Sequence, residues 1–136
     1  NNMVSWFCNL YNLNQQKWFI ARCDQISYCK VTTKIGKSKK ELTVLHDSFY
    51  KKYYSIPYSC ELTKNGKEAA SLDLYPTMRI TEENGKTLLT GSYNPSELYY
   101  LVNYLIGLGS NVRINHPIEL RDAYLKELKK IINMYE

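Results

Sequence analysis

Trp18, Phe19, Arg22, Tyr28, Lys30 and Lys34 bring aromatic rings and fixed positive charge together within one short stretch of the chain. Nucleobases stack on such rings while lysine and arginine follow phosphates, so the set suits single-stranded nucleic acid or a nucleotide. Residues Tyr28 to Ile35 alternate in the manner of a strand, which places Tyr28, Lys30 and Lys34 on one face. The same alternation puts Trp18, Ile20 and Arg22 opposite Lys17, Phe19 and Ala21. Trp18 and Phe19 therefore cannot both line a flat groove, and Trp18 taken alone suits a core.

Charge supports an anionic partner. Residues 1–68 carry eleven Lys or Arg against five acids, whereas residues 69–136 carry seven against eight. A basic half joined to a nearly neutral one matches a localised phosphate backbone, although a solvated surface has the same composition.

Other chemistries lack their residues. The only histidines, His46 and His116, are 70 positions apart, so no Ser-His-Asp or Cys-His arrangement is legible and the chain reads as a non-enzyme. Cys8, Cys23, Cys29 and Cys60 stand 15, 6 and 31 residues apart, which contains no CxxC pair for zinc. They read as small hydrophobes of a reduced, cytoplasmic protein. Gly36-Lys37-Ser38 lacks the glycine of a P-loop, since Val31 occupies that position. No cofactor is implied, and no apolar run is long enough for a membrane span.

The elements that must position these residues follow from punctuation. Met3 to Tyr11 and Lys17 to Cys23 read as two strands of a hairpin, Tyr28 to Ile35 as a third strand and Leu42 to Leu45 as a fourth. Together they make residues 1–50 a β-rich portion, and a boundary falls between Asp47 and Ile56. Beyond it, Asn65-Gly66 and Asn84-Gly85 are hairpin signals. They separate Tyr58–Thr63 from Lys67–Tyr75, and Met78–Thr81 from Thr87–Tyr93. Leu72, Leu74, Met78, Ile80, Leu88 and Leu89 then form a buried face. Asn94-Pro95-Ser96-Glu97 starts a helix with the stripe Leu98, Leu101, Val102 and Leu105, which ends at Gly107 and Gly109. Val112 to Ile114 is a short strand, and Pro117 opens a last helix with the stripe Leu120, Tyr124, Leu128, Ile131 and Tyr135. The fold class is α+β, and residues 57–136 form an antiparallel sheet packed with two helices.

Leu105-Ile106-Gly107-Leu108-Gly109-Ser110-Asn111-Val112, followed by Pro117-Ile118-Glu119-Leu120-Arg121, resembles the C-terminal end of bacterial WYL-domain transcription regulators. Trp18-Phe19-Ile20 stands where that family has Trp-Tyr-Leu, followed by Ala21. The family's arginine-bearing strand is replaced by Val31-Thr32-Thr33-Lys34-Ile35, and lysine lacks the planar fork of arginine. The helix that the family places between the first strands of its C-terminal extension has no counterpart legible here. The resemblance implies a partial Sm/SH3-like β-barrel followed by the α+β extension. It also implies a nucleic-acid or nucleotide effector, homodimerisation and control of an upstream DNA-binding domain. The family's first barrel strand and winged helix-turn-helix are missing, which suggests a fragment of a longer protein. The alternative is a dimerisation or protein-interaction module without a ligand.

Overall fold

A computed structural model describes residues 6–34 and 36–136. Met3 and Val4, expected in the first strand, and Ile35, expected in the third, lie outside the described residues. The chain divides into two compact units, Asn1–Lys52 and Tyr53–Glu136.

In the first unit β1 (Phe7–Asn12) and β2 (Lys17–Arg22) pair antiparallel, with Tyr11 opposite Trp18 and Leu10 opposite Phe19. Asn12 closes the turn, its Oδ1 accepting from the backbone N–H groups of Asn14 and Gln15 at 3.0 Å each. The expected third strand does not form: Ile26–Thr32 has no regular structure, leaving Tyr28, Lys30 and Lys34 outside any strand. The expected fourth strand is a helix, α1 (Lys39–Tyr53). Ser38 caps its start: Ser38 Oγ accepts from the Glu41 N–H at 3.2 Å and donates to Glu41 Oε1 at 3.3 Å. Leu42, Leu45, His46, Tyr50 and Tyr53 are its half-buried residues, and their helical spacing overrides the β-preference of Thr43-Val44. A two-stranded sheet with one helix is not a closed barrel.

The second unit holds every buried residue among those described. Its elements are β3 (Ile56–Leu62), α2 (Lys64–Ser71), β4 (Arg79–Glu83), β5 (Lys86–Tyr93), α3 (Leu98–Gly107), β6 (Val112–His116) and α4 (Ile118–Asn133). The sheet is antiparallel in the order β4-β5-β3-β6. Register aligns Ile80, Leu89, Cys60 and Ile114 in one apolar row across all four strands. The buried side chains Leu101, Val102 and Leu105 of α3 and Leu120 of α4 join the same core. Tyr58 lies opposite Gly91, where a Cβ would stand 2.7 Å from Tyr58 Oη and 2.6 Å from the Thr77 carbonyl oxygen.

The two Asn-Gly pairs behave differently. Asn84-Gly85 makes the expected β4–β5 hairpin, with φ of 52° and 76°. Asn65-Gly66 instead lies in α2, the helix that sequence reasoning did not find, so neither the first hairpin nor the Lys67–Tyr75 strand exists. Thr63 caps α2 by accepting from the Gly66 N–H at 3.0 Å, and its hydroxyl donates to Asn111 Oδ1 at 2.8 Å. Gly66 serves close approach rather than positive φ: a Cβ there would stand 2.4 Å from the Asn111 carbonyl oxygen. Gly→Ala inside a helix ordinarily stabilises by roughly 0.5–1 kcal/mol. Gly66→Ala is expected to do the opposite, destabilising by roughly 1–3 kcal/mol in urea unfolding, because α2 must back away from Asn111.

Asn94 initiates α3 through a 3-10 turn, Pro95–Glu97, its Oδ1 accepting from the Ser96 N–H at 2.9 Å. Gly109, at φ 60°, turns the chain after α3. The expected buried face is corrected at Leu72, which is 90% exposed at the C-terminal end of α2, and at Leu74, which follows it in the turn to β4. Met78 and Leu89 are buried, while Ile80 and Leu88 are half-buried. The expected stripe of α4 loses its cover along the helix: Leu120 is buried, Tyr124 and Leu128 are half-buried, and Ile131 and Tyr135 are exposed. Among the described residues no helix is long and apolar enough to cross a membrane.

Candidate functional site

The six expected site residues do not share one surface of the first sheet. Trp18 meets Tyr11 and His46 edge-on, each at a ring-centroid distance of 5.1 Å, and His46 lies 6.1 Å from the Tyr50 ring. α1 thus supplies a histidine that holds the indole within the unit. The indole Nε1 is shielded from solvent and has no hydrogen-bond partner among the described residues. Phe19 points to the opposite face of the sheet and is exposed. Arg22 donates from Nε to Asp24 Oδ1 at 3.0 Å, an exposed pair that leaves it partly neutralised. Tyr28, 78% exposed, and the exposed Lys30 and Lys34 stand on the irregular segment that follows. The common face inferred for Tyr28, Lys30 and Lys34 required the strand that is not formed.

The electrostatic asymmetry is sharper than the sequence halves suggested. It follows the boundary between the units: Asn1–Lys52 contains nine Lys or Arg against three acids, and Tyr53–Glu136 nine against ten. The signal missed in the sequence was α1, which carries Lys39, Lys40, Lys51 and Lys52 on one rigid element.

Three of the four cysteines lie in the first unit, and Cys60 is buried in the second. Cys23 and Cys29 are exposed; partial burial, then the neighbouring Cys23 thiol, push the Cys8 thiol up. No group of three His, Cys, Asp or Glu side chains is arranged to hold a metal among the described residues.

The second unit contains an open pocket of about 450 Å³ between α2, the turn that follows it and α3. Its walls include Tyr75, Tyr100 and Tyr104, together with Asp73, Asn103 and Leu108. The Tyr75 and Tyr104 rings stand 4.9 Å apart at 53° and form a corner. Burial, then the Asp73 carboxylate and Tyr75 beside it, push the Tyr104 phenol up, so it stays neutral over a wide pH range. Asp73 has no ion-pair partner among the described residues. Sequence reasoning missed this pocket because it assigned Asp73 and Tyr75 to a strand. The Tyr100/Asn103/Tyr104 spacing on a helix was its one legible trace. No protein-family model matches this chain, and no curated protein matches it either.

Proposed function

We propose that this chain is the effector-sensing part of a transcription regulator that binds single-stranded nucleic acid or a nucleotide through its first unit. The observation carrying this reading is the charge of that unit, nine basic residues against three acids. Phe19 and Tyr28 are exposed rings on which bases can stack, and Lys30 and Lys34 of the same unit are exposed cations. α2 lends support to the WYL resemblance, because it fills the place between β3 and β4 where that family has a helix. The barrel-like part of the resemblance has less support, given two paired strands and α1. An upstream DNA-binding domain and a homodimer belong to the same proposal.

Fluorescence anisotropy with short labelled single strands across salt concentrations tests this. Each phosphate contact contributes about 0.7 to the logarithmic salt slope for single strands. Lys30→Ala with Lys34→Ala is expected to lower that slope by about 1.4 and to weaken binding roughly tenfold at low salt. A folded protein that binds neither strands nor nucleotides at low salt removes the proposal.

The second reading, an assembly module without a ligand, has its own observation. The far half of α4 exposes Leu125, Ile131 and Ile132, with Met134 and Tyr135 beyond its end. Anisotropy and sedimentation of the same samples separate the two: the assembly reading requires a dimer in a folded protein that binds neither single strands nor nucleotides.

A further inference from the structure

The pocket of the second unit has a lining suited to one kind of guest. Three tyrosine rings line it, and a cation with apolar substituents gains from the negative faces of such rings while tolerating the loss of water. A carboxylate without a cation, Asp73, lies in the same lining. Asn103 adds an amide, while Leu108 supplies apolar wall. The pocket is too apolar for a hydrated metal ion, which demands a shell of oxygen ligands. It is equally unsuited to a phosphate or carboxylate: its lining contains no Lys, Arg or His. The unit around it is also nearly neutral, with nine basic residues against ten acids, so no positive field opposes a cation.

We propose that the pocket bounded by Tyr75, Tyr100, Tyr104 and Asp73 is a binding site for a small quaternary ammonium compound. The ammonium group sits against the tyrosine faces with Asp73 as counter-ion, and its alkyl substituents cover Leu108. The site is independent of the nucleic-acid proposal, since it belongs to the other unit.

The test uses the 136-residue chain. Choline is titrated while the tyrosine ring resonances are followed by NMR, with 3,3-dimethylbutan-1-ol as the uncharged isostere. Choline is expected to shift the rings of Tyr75, Tyr100 and Tyr104 in a saturable manner, and the isostere to bind at least tenfold more weakly. Asp73→Asn is expected to weaken choline at least tenfold, because it removes the counter-charge and keeps the shape. Tyr100→Ala, at an exposed position, removes one wall without touching the core and should weaken choline severalfold. Tyr104→Phe keeps its ring and should retain binding. Equal affinity for choline and its isostere, choline binding unchanged in Asp73→Asn, or no shift of the three rings overturns the proposal.

Discussion

Leu89→Ala is expected to lower the unfolding free energy of the second unit by about 3–5 kcal/mol. Leu89 is wholly buried at the centre of the row Ile80, Leu89, Cys60 and Ile114, with a strand on either side. Removing its branched end takes away the apolar area that had been withdrawn from water. It also leaves a void that β3 and β4 cannot close without breaking their pairing with β5. Leu72→Ala is the contrast: sequence alternation placed Leu72 on the same buried face, but at 90% exposure it should change stability by less than about 0.5 kcal/mol. Urea unfolding followed by near-ultraviolet tyrosine dichroism reports mainly on this unit, because ten of the thirteen tyrosines lie in it. Similar losses for the two variants would mean that the row is misplaced.

The second large effect is alkaline. Cys60 and Tyr58 lie on the same face of β3, and burial pushes the Cys60 thiol up to about 12. Burial, then Cys60 and Tyr104 nearby, raise the Tyr58 phenol further. In each case the folded state prefers the neutral form, so the stabilisation is complete below the unfolded pKa and is lost as pH climbs towards the folded one. The ordinary values are 9.0 for the thiol and 10.0 for the phenol, so losses begin near pH 9 with Cys60 and are joined by Tyr58 one unit higher. Each ionising group removes about 1.4 kcal/mol per pH unit, and by pH 11 the pair removes about 4 kcal/mol. Tyr93 and Tyr104, both raised chiefly by burial, act in the same direction. Urea midpoints measured from pH 7 to 11 should therefore fall steeply above pH 9. The Cys60→Ala, Tyr58→Phe double variant should flatten most of that fall. Tyr58→Phe alone should cost little at pH 7, because the buried hydroxyl has no hydrogen-bond partner among the described residues. A wild-type midpoint that holds to pH 11 would falsify the buried, neutral state of this pair.

The sequence was most informative where chain-local chemistry decides structure. Asn94-Pro95 starting the passage into α3, Gly109 after it, and Asn84-Gly85 between β4 and β5 all act through their own dihedral angles and nearby hydrogen bonds. α1 and α2 were legible in principle. Ser38-Lys39-Lys40-Glu41 has the capping-box sequence pattern, and Thr63 precedes a run that includes Ala69-Ala70. Thr43-Val44 and Asn65-Gly66 masked them, because β-branched and turn residues carry preferences that packing overrides. At Gly66 the deciding partner is Asn111, forty-five positions away, which no local pattern reveals. The candidate sites divide in the same way. The basic residues of the first unit were visible as composition, but their common face depended on a strand that is not there. The tyrosine pocket depends on bringing the end of α2 against α3, a long-range event.

Tyr58 and Gly91 share a single volume across two neighbouring strands, the ring filling space that a side chain at position 91 would need. Sequence drift at these positions is therefore ordered. A lineage that acquires a β-carbon at position 91 must already have exchanged the ring at position 58 for something smaller, and must also have moved the Thr77 carbonyl aside. The reverse order passes through a clash with the Tyr58 ring as well as with the Thr77 carbonyl. Of the two positions, 58 is the one free to change first, and its history decides what 91 is allowed to become.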